Sequence, residues 1–378
     1  MVECAPLGVK AARSFAFQTY RMQIALIGLP WSGKTTLFRT LASYAGAEAP
    51  GMGGGPVARC VVRVPDSRLD QLCAMYTRGR RVPATIEYLD APGLDVRREH
   101  GHGVPGSILA QIKNTRALVE VIGGFAPDQP TDLAERVLGW RSDAEAMETE
   151  MLVGDLQQIE NRRQRLAQQM KKGKRPEDDR EDALLARCEA ALGEGNPLRR
   201  VGLSAEEKFL LGGYQLLTLK PLLRVVNVNE DLLDRADRIA ELWGEDPPIV
   251  LAAKIEEEIA ALPEDERTAF LADLGLEAPA LERLVRASYR LLGLISFFTV
   301  GDDEVRAWTV PGGIRAQLAA GEIHSDLERG FIRAEVVSIE NLIEAGSLDA
   351  CRKRGTLRVE GKDYVVADGD VMSVRFSV

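Results

Sequence analysis

Apolar and polar positions change rhythm four times along the chain. From Met22 to about Trp140, short apolar runs alternate with glycine-rich or polar breaks: "QIALIGL", "RCVVRVP", "ATIEYLDAPGL" and "RALVEVIGGF". Strands alternating with helical stretches predict a parallel α/β sheet. From about Arg141 to Tyr214 the apolar positions (Met147, Met151, Leu152, Ile159, Leu166) spread to helical spacing with charges between them. "KKGKRPEDD" breaks this pattern and "REDALLARCEAALGEG" resumes it, which predicts two amphipathic helices around a charged turn. Strands return in "LLRVVNVNE" and "PPIVLAAKI", followed by the helices "DERTAFLADLG" and "LERLVRASYRLLG". From Leu294 onward the runs "FFTV", "VRAWTV", "FIRAEVVS", "TLRV", "YVVA" and "VMSVRFSV" predict a compact β-rich module. The organisation expected is therefore an α/β domain over 22–140 and 215–293, a helical hairpin inserted at 141–214, and a separate module over 294–378.

Composition narrows the class. The 378 residues carry a formal net charge of −9, so the chain is no general nucleic-acid coat, and any RNA contact needs a local basic patch. Five scattered cysteines without C-x-x-C spacing point to reduced thiols in the cytoplasm, not to disulfides or a zinc site. No apolar run approaches the ~20 residues that span a bilayer, so no membrane partner is expected. Residues 1–21 are acid-poor, carry arginines and lack the apolar centre of a secretory signal. They are taken as an extension upstream of a natural start at Met22.

The chemistry concentrates in "GLPWSGKTT", residues 28–36. Gly28, Gly33, Lys34 and Thr35 satisfy G-x-x-x-x-G-K-[ST], with a strand before and a helix after. In such a loop, spanning Pro30, Trp31, Ser32 and Thr36 as well, backbone N–H groups turn inward around phosphate oxygens. Lys34 supplies a point charge near the β and γ phosphates, and Thr35 offers a hydroxyl to Mg2+. A second element, "IEYLDAPGL", ends a strand at Asp90 and places Gly93 three residues on. That spacing fits a carboxylate in the magnesium shell and a glycine N–H at the γ-phosphate. Leu94 follows, where Ras-type enzymes carry a water-orienting glutamine. A third element, "VVNVNE", has Asn227, Val228 and Glu230 where guanine-specific proteins carry Asn-Lys-x-Asp. Glutamate is one methylene too long and valine cannot lie over a base, which favours ATP over GTP. Asn227 could also cap the following helix. The strand "IVLAAKIEEEI" puts Ala253 where a loop would meet the base from the other side.

With these elements in order, "GLPWSGKTTLF", "YLDAPGL", "NVNE", "AAKIEEEI", "EVRAWTV", "IHSDLERGFIRAEV" and "VEGKDYVVADGDVMSVRF", the chain resembles the YchF/Obg-like ATPase family of translation-factor-related P-loop NTPases. The resemblance runs from Met22 to Val378. It implies an α/β P-loop NTPase domain with a parallel sheet, an inserted coiled-coil hairpin and a C-terminal ubiquitin-like β-grasp TGS domain. It further implies ATP preference, association with the ribosome, and RNA contact through the TGS domain. The departures are specific. Trp31 replaces an asparagine that ligates potassium in related enzymes, and "AEAPGMGGGPVARC" replaces the family's first switch. Glu120 falls where the family often has a histidine proposed to assist catalysis, and His100 and His102 lie in the second switch. Three functions follow: a slow ATPase acting as a ribosome-associated switch, a non-hydrolysing nucleotide-dependent ribosome- or RNA-binding module, or a GTP-binding protein.

Overall fold

The structure, a computed structural model, describes residues 22–45, 57–76, 79–91, 106–126, 129–273, 276, 278–301 and 303–377. Residues 1–21, Gly93, Leu94, His100 and His102 lie outside the described residues. In chain order the strands and helices are β1 (Gln23–Ile27), α1 (Lys34–Tyr44), β2 (Ala58–Arg63), α2 (Ser67–Met75), β3 (Arg80–Val82), β4 (Thr85–Asp90), α3 (Gly106–Lys113) and β5 (Ala117–Gly124). Then come α4 (Leu133–Lys172), α5 (Pro176–Gly193), α6 (Ala205–Leu211), β6 (Leu222–Val228), α7 (Ala236–Trp243), β7 (Ile249–Leu251), α8 (Ala253–Ala261), α9 (Glu264–Asp273) and α10 (Ala280–Leu291). The last part holds β8 (Leu294–Val300), β9 (Glu304–Pro311), α11 (Ala316–Ile323), α12 (Ser325–Arg329), β10 (Phe331–Ser338), α13 (Ile339–Ala345), α14 (Leu348–Arg354), β11 (Arg358–Glu360) and β12 (Asp370–Phe376).

The described residues within Met1–Phe38, Pro50–Cys60 and Glu87–Pro248 form one compact unit, and those within Arg39–Ala49, Val61–Ile86 and Ile249–Val378 form a second. In the first, parallel strands run in the order β4, β1, β5, β6. All five residues of β1 are buried. An uninterrupted apolar strand is what a parallel sheet covered on both faces requires. Ala25, Ile27, Leu89 and Leu118 from the sheet pack with Met147 and Met151 of α4. The expected α/β class is thus what the chain adopts.

The long helix α4 starts where the Asp132 carboxylate accepts from the N–H groups of Ala134 and Glu135. It ends at Gly173, and Pro176 opens α5 at a position where a missing N–H costs nothing. Leu152, Ile159 and Leu166, seven residues apart, bury one stripe of α4 against Leu184, Leu185, Cys188 and Leu192 of α5. This heptad spacing is the seam of a coiled-coil pair. Arg162–Glu181 (2.6 Å) and Arg163–Asp182 (3.0 Å) flank it. Exposed pairs of this kind contribute about 0–1 kcal/mol, so the apolar seam holds the hairpin.

In the second unit the strand order is β11, β10, β12, β8, β9, β3. Most neighbours pair antiparallel; β12–β8 and β3–β9 pair parallel. Phe297, Val310, Ala334, Val336 and Met372 line its core with Ala316 and Ala319 of α11. Two features depart from the sequence expectation. "YVVA" is not a strand: only Val365 bridges Arg315, because Asp370 accepts from both the Ala367 N–H and the Tyr364 hydroxyl and bends the segment. The short β3, far upstream in sequence, supplies an edge strand. Among the described residues no helix is long and apolar enough to cross a membrane.

Candidate functional site

The loop between β1 and α1 is built around two glycines that nothing else could replace. At Gly28 (φ +149°) a Cβ would lie 2.3 Å from the Val121 carbonyl oxygen. At Gly33 (φ +84°) it would lie 2.2 Å from Asn227 Nδ2. Both approaches are closer than real Cβ contacts allow, so the backbone passes β5 and β6 without side chains of its own. The Leu37 N–H donates to the Gly33 carbonyl (2.9 Å) and starts α1. The first N–H groups of α1 have no intrahelical acceptor and carry the positive end of the helix dipole, which suits an anion.

Between the glycines the chain makes a turn, the Ser32 N–H reaching the Leu29 carbonyl at 3.3 Å. Pro30 and Trp31 are its two central residues, and Trp31 has φ +66°. That is the pattern of a type II turn, which puts proline second and normally glycine or asparagine third. Trp31 is 93% exposed. Ser32 is buried, and its hydroxyl has no hydrogen-bond partner. An orphaned hydroxyl and a Cβ-free cradle in one loop are what a phosphate-binding turn leaves open, so these residues fit a nucleotide's anionic tail.

Lys34 is buried, and its ammonium donates to the Leu29 carbonyl at 3.1 Å. Burial pushes its pKa below the ordinary lysine value, and the nearby Asp90 carboxylate opposes the shift. The Thr35 hydroxyl donates to Asp90 Oδ2 at 3.0 Å. A hydroxyl on α1 and a carboxylate at the end of β4, 55 residues apart, therefore present adjacent oxygens, the hard-donor set that suits Mg2+. Thr36 lies half-buried one residue further on. Among the described residues no cluster of three or more His, Cys, Asp or Glu could hold a metal alone. A cation here would need ligands beyond this pair.

Asn227, at the penultimate position of β6, is buried and donates from Nδ2 to the Ser32 carbonyl at 3.4 Å. It therefore tethers the loop and does not cap the following helix; Asn229 occupies that N-cap position, without a side-chain bond. Val228 is buried, its Cγ1 close to where a Cβ on Gly124 would stand. Glu230 is exposed at the start of a short 3-10 turn, Glu230–Arg235. Ala253 opens α8 in the second unit, where its carbonyl accepts from the Thr40 hydroxyl at 3.4 Å. The loop residues, Asp90 and Asn227 thus come together within the first unit.

Two features escaped sequence reasoning. Phe125 follows β5, and its ring edge lies 3.3 Å from where a Gly33 Cβ would stand. Nothing in "VIGGF" marks that phenylalanine except the glycines before it. The second is a charge network: Glu120 on β5 pairs with Arg224 Nε at 3.1 Å, and Arg224 also reaches Glu148 of α4 at 2.7 Å. Arg199 pairs with the same Glu148. Glu120 is 1% exposed, and burial outweighs Arg224 and pushes its carboxyl up to about 7.

The C-terminal part, residues 294–377, matches the family model YchF-GTPase_C, described as "Protein of unknown function (DUF933)". Over 360 residues the chain is 38% identical to the "Ribosome-binding ATPase YchF" of Escherichia coli O157:H7, covering 93% of this chain and 98% of that protein. Over 370 residues it is 37% identical to the protein of the same name in Bacillus subtilis, with the same coverage of both. The solved structure of the Schizosaccharomyces pombe YchF GTPase superposes with a TM-score of 0.79 at 26% identity, covering 94% of this chain and 98% of that one. With this identity sustained over nearly the full length of both partners, the chain belongs to the YchF family.

Proposed function

We propose that the chain is a slow ATPase whose nucleotide state sets its association with the ribosome in the cytoplasm. What carries this reading is the convergence of the Thr35–Asp90 pair and the Asn227 tether on a glycine-cradled loop. Relatives named as ribosome-binding ATPases over almost the whole chain support it. Gly28 and Gly33 leave room for the phosphates, and Pro30, Trp31, Ser32 and Thr36 complete the loop. Lys34 balances charge on the transferring phosphoryl group, Thr35 and Asp90 hold Mg2+, and the Gly93 amide meets the γ-phosphate. Magnesium, when bound, neutralises negative charge shared by the β and γ phosphate oxygens.

For the base, Glu230 in place of aspartate disfavours guanine, so ATP is preferred over GTP. Asn227, Val228 and Ala253 complete the base-side set. RNA contact falls to the module from Leu294 onward, a TGS domain in this reading. A second reading, a switch that binds without hydrolysing, is favoured by Leu94, which cannot orient water. Phosphate release with ATP and with GTP, alone and with ribosomes, decides between them. Turnover above a Lys34→Ala control, faster with ATP, is expected. No turnover above that control under any condition removes the enzyme, and tighter binding of GTP than ATP overturns the base assignment.

A further inference from the structure

The turn that faces the phosphates on one side bounds a second space on another. Leu29, Trp31 and Ser32 share a cavity of ≈ 490 Å³ with Glu120 and Val121 of β5 and Asp143 of α4. Lys34, Thr35, Asp90 and Asn227 are not among its described lining residues, so it is distinct from the phosphate cradle.

Its chemistry is one-sided. Two carboxylates line it, and no lysine or arginine does among the described residues. Anions are thereby disfavoured, while the Glu120 carboxylate is almost wholly removed from water, with Arg224 held against one of its oxygens. Burying a carboxylate is costly unless opposite charge and hydrogen bonds meet it. That Glu120 stays well above the usual carboxylate range shows that Arg224 alone does not balance it. Ser32 adds a buried hydroxyl with no partner. Trp31 adds an indole that is 93% exposed and held at a positive φ. An exposed tryptophan at a backbone position that disfavours it contributes little to packing, and its π face attracts cations. A bare metal ion fits poorly, because the lining offers only two anionic oxygen donors and an aromatic wall. N–H donors on a small carbon frame match every part of it.

We propose that this cavity binds a small organic cation, an ammonium or guanidinium on a short carbon chain, held by Glu120, Asp143, the Ser32 hydroxyl and the Trp31 indole. The cation shares a wall with the phosphate loop, so amine and nucleotide must alter each other's affinity by the same factor.

The test is calorimetric titration of the full chain, without nucleotide, with putrescine and with methylguanidinium, using KCl at equal ionic strength as control. Saturable one-to-one binding of an organic cation and none of potassium is expected. Asp143→Asn should weaken it by roughly tenfold or more, the value of a charge-assisted hydrogen bond. Glu120→Gln should do the same and abolish the proton release that accompanies binding near neutral pH. Lys34→Ala should lose nucleotide binding but keep the amine, which separates this site from the nucleotide reading. No saturable heat, equal binding of potassium, or unchanged affinity in a folded Asp143→Asn protein would each overturn the proposal. The Asp143 variant suffices for this if Glu120→Gln does not fold.

Discussion

Asn227 Nδ2 donates to the carbonyl oxygen of Ser32 across 3.4 Å, and the same nitrogen stands 2.2 Å from where a Cβ on Gly33 would be. The strand-end amide therefore fixes the phosphate loop from below. Gly33→Ala must push Asn227 aside and hold alanine at φ +84°, a left-handed cost of about 1–2 kcal/mol before any clash. The expected result is a loss of roughly tenfold or more in affinity for ATP and GTP alike. Asn227→Ala removes one hydrogen bond, about 1 kcal/mol, and should weaken both nucleotides equally. Calorimetric titration of both nucleotides checks this; a loss confined to one of them would instead assign Asn227 to the base.

The Thr35–Asp90 contact makes a separable prediction. Thr35→Ala removes a ligand for the metal while leaving the loop backbone in place. Nucleotide affinity in excess magnesium should fall by about tenfold or more, while affinity in a chelator stays at the wild-type value. Phosphate release should fall with it. Equal losses with and without magnesium would mean that the hydroxyl supports the loop itself.

Much of this was legible in the residue order because local chemistry and global fold agree. The G-x-x-x-x-G-K-[ST] spacing demands a strand before and a helix after, and β1 and α1 supply them. Met147, Met151, Leu152, Ile159 and Leu166 face inward because a helix must bury its apolar stripe, and all five are buried. What could not be read depends on contacts between residues far apart in sequence. Asn227 reads as a cap or a base contact until the sheet brings β6 beside the loop. Glu120 is an unexplained polar residue in a strand until Arg224, 104 residues later, stands beside it. The short β3 carries too few residues for any periodicity.

Asp155 of α4 is 1% exposed and accepts from the Leu217 N–H (3.0 Å), the Thr218 N–H (2.7 Å) and the Thr218 hydroxyl (2.7 Å). It is the polar pin between the long helix and the segment entering β6. Asp155→Ala strands two buried backbone donors, each costing about 1–3 kcal/mol. A loss of roughly 3 kcal/mol or more in urea unfolding is expected. Asp155→Asn keeps one acceptor and should lose less; equal losses would show that shape rather than hydrogen bonding matters there.

Glu120 should make stability depend on pH in a known direction. Its carboxyl titrates at about 7 in the folded chain, whereas an unfolded glutamate titrates near 4.5. Below the unfolded value it is neutral in both states and has no effect. Between the two values only the unfolded state ionises, so stability falls as pH rises, and above about 7 the full penalty remains. The 2.5-unit gap corresponds to about 3 kcal/mol at most. Arg224, Glu148 and Arg199 surround the group and are common to both proteins in the comparison. Glu120→Gln should therefore gain on wild type in denaturant midpoint between pH 5 and pH 8, with the difference flat above that. A difference that shrinks over this range would reverse the assignment.

Trp31 is the plainest case of a residue the fold does not need. At φ +66° a non-glycine residue costs about 1–2 kcal/mol, and asparagine tolerates that conformation better than most. Because the side chain is 93% exposed, replacing it forfeits little burial. Trp31→Asn should therefore stabilise the protein, by about 1 kcal/mol or slightly less. Trp31→Ala is the decisive comparison, since alanine keeps the strained backbone and removes the ring. If strain is the cause, the asparagine variant rises in urea midpoint and the alanine variant stays at the wild-type value. Should both fall, the indole makes a stabilising contact, and the strain would be offset within the folded chain.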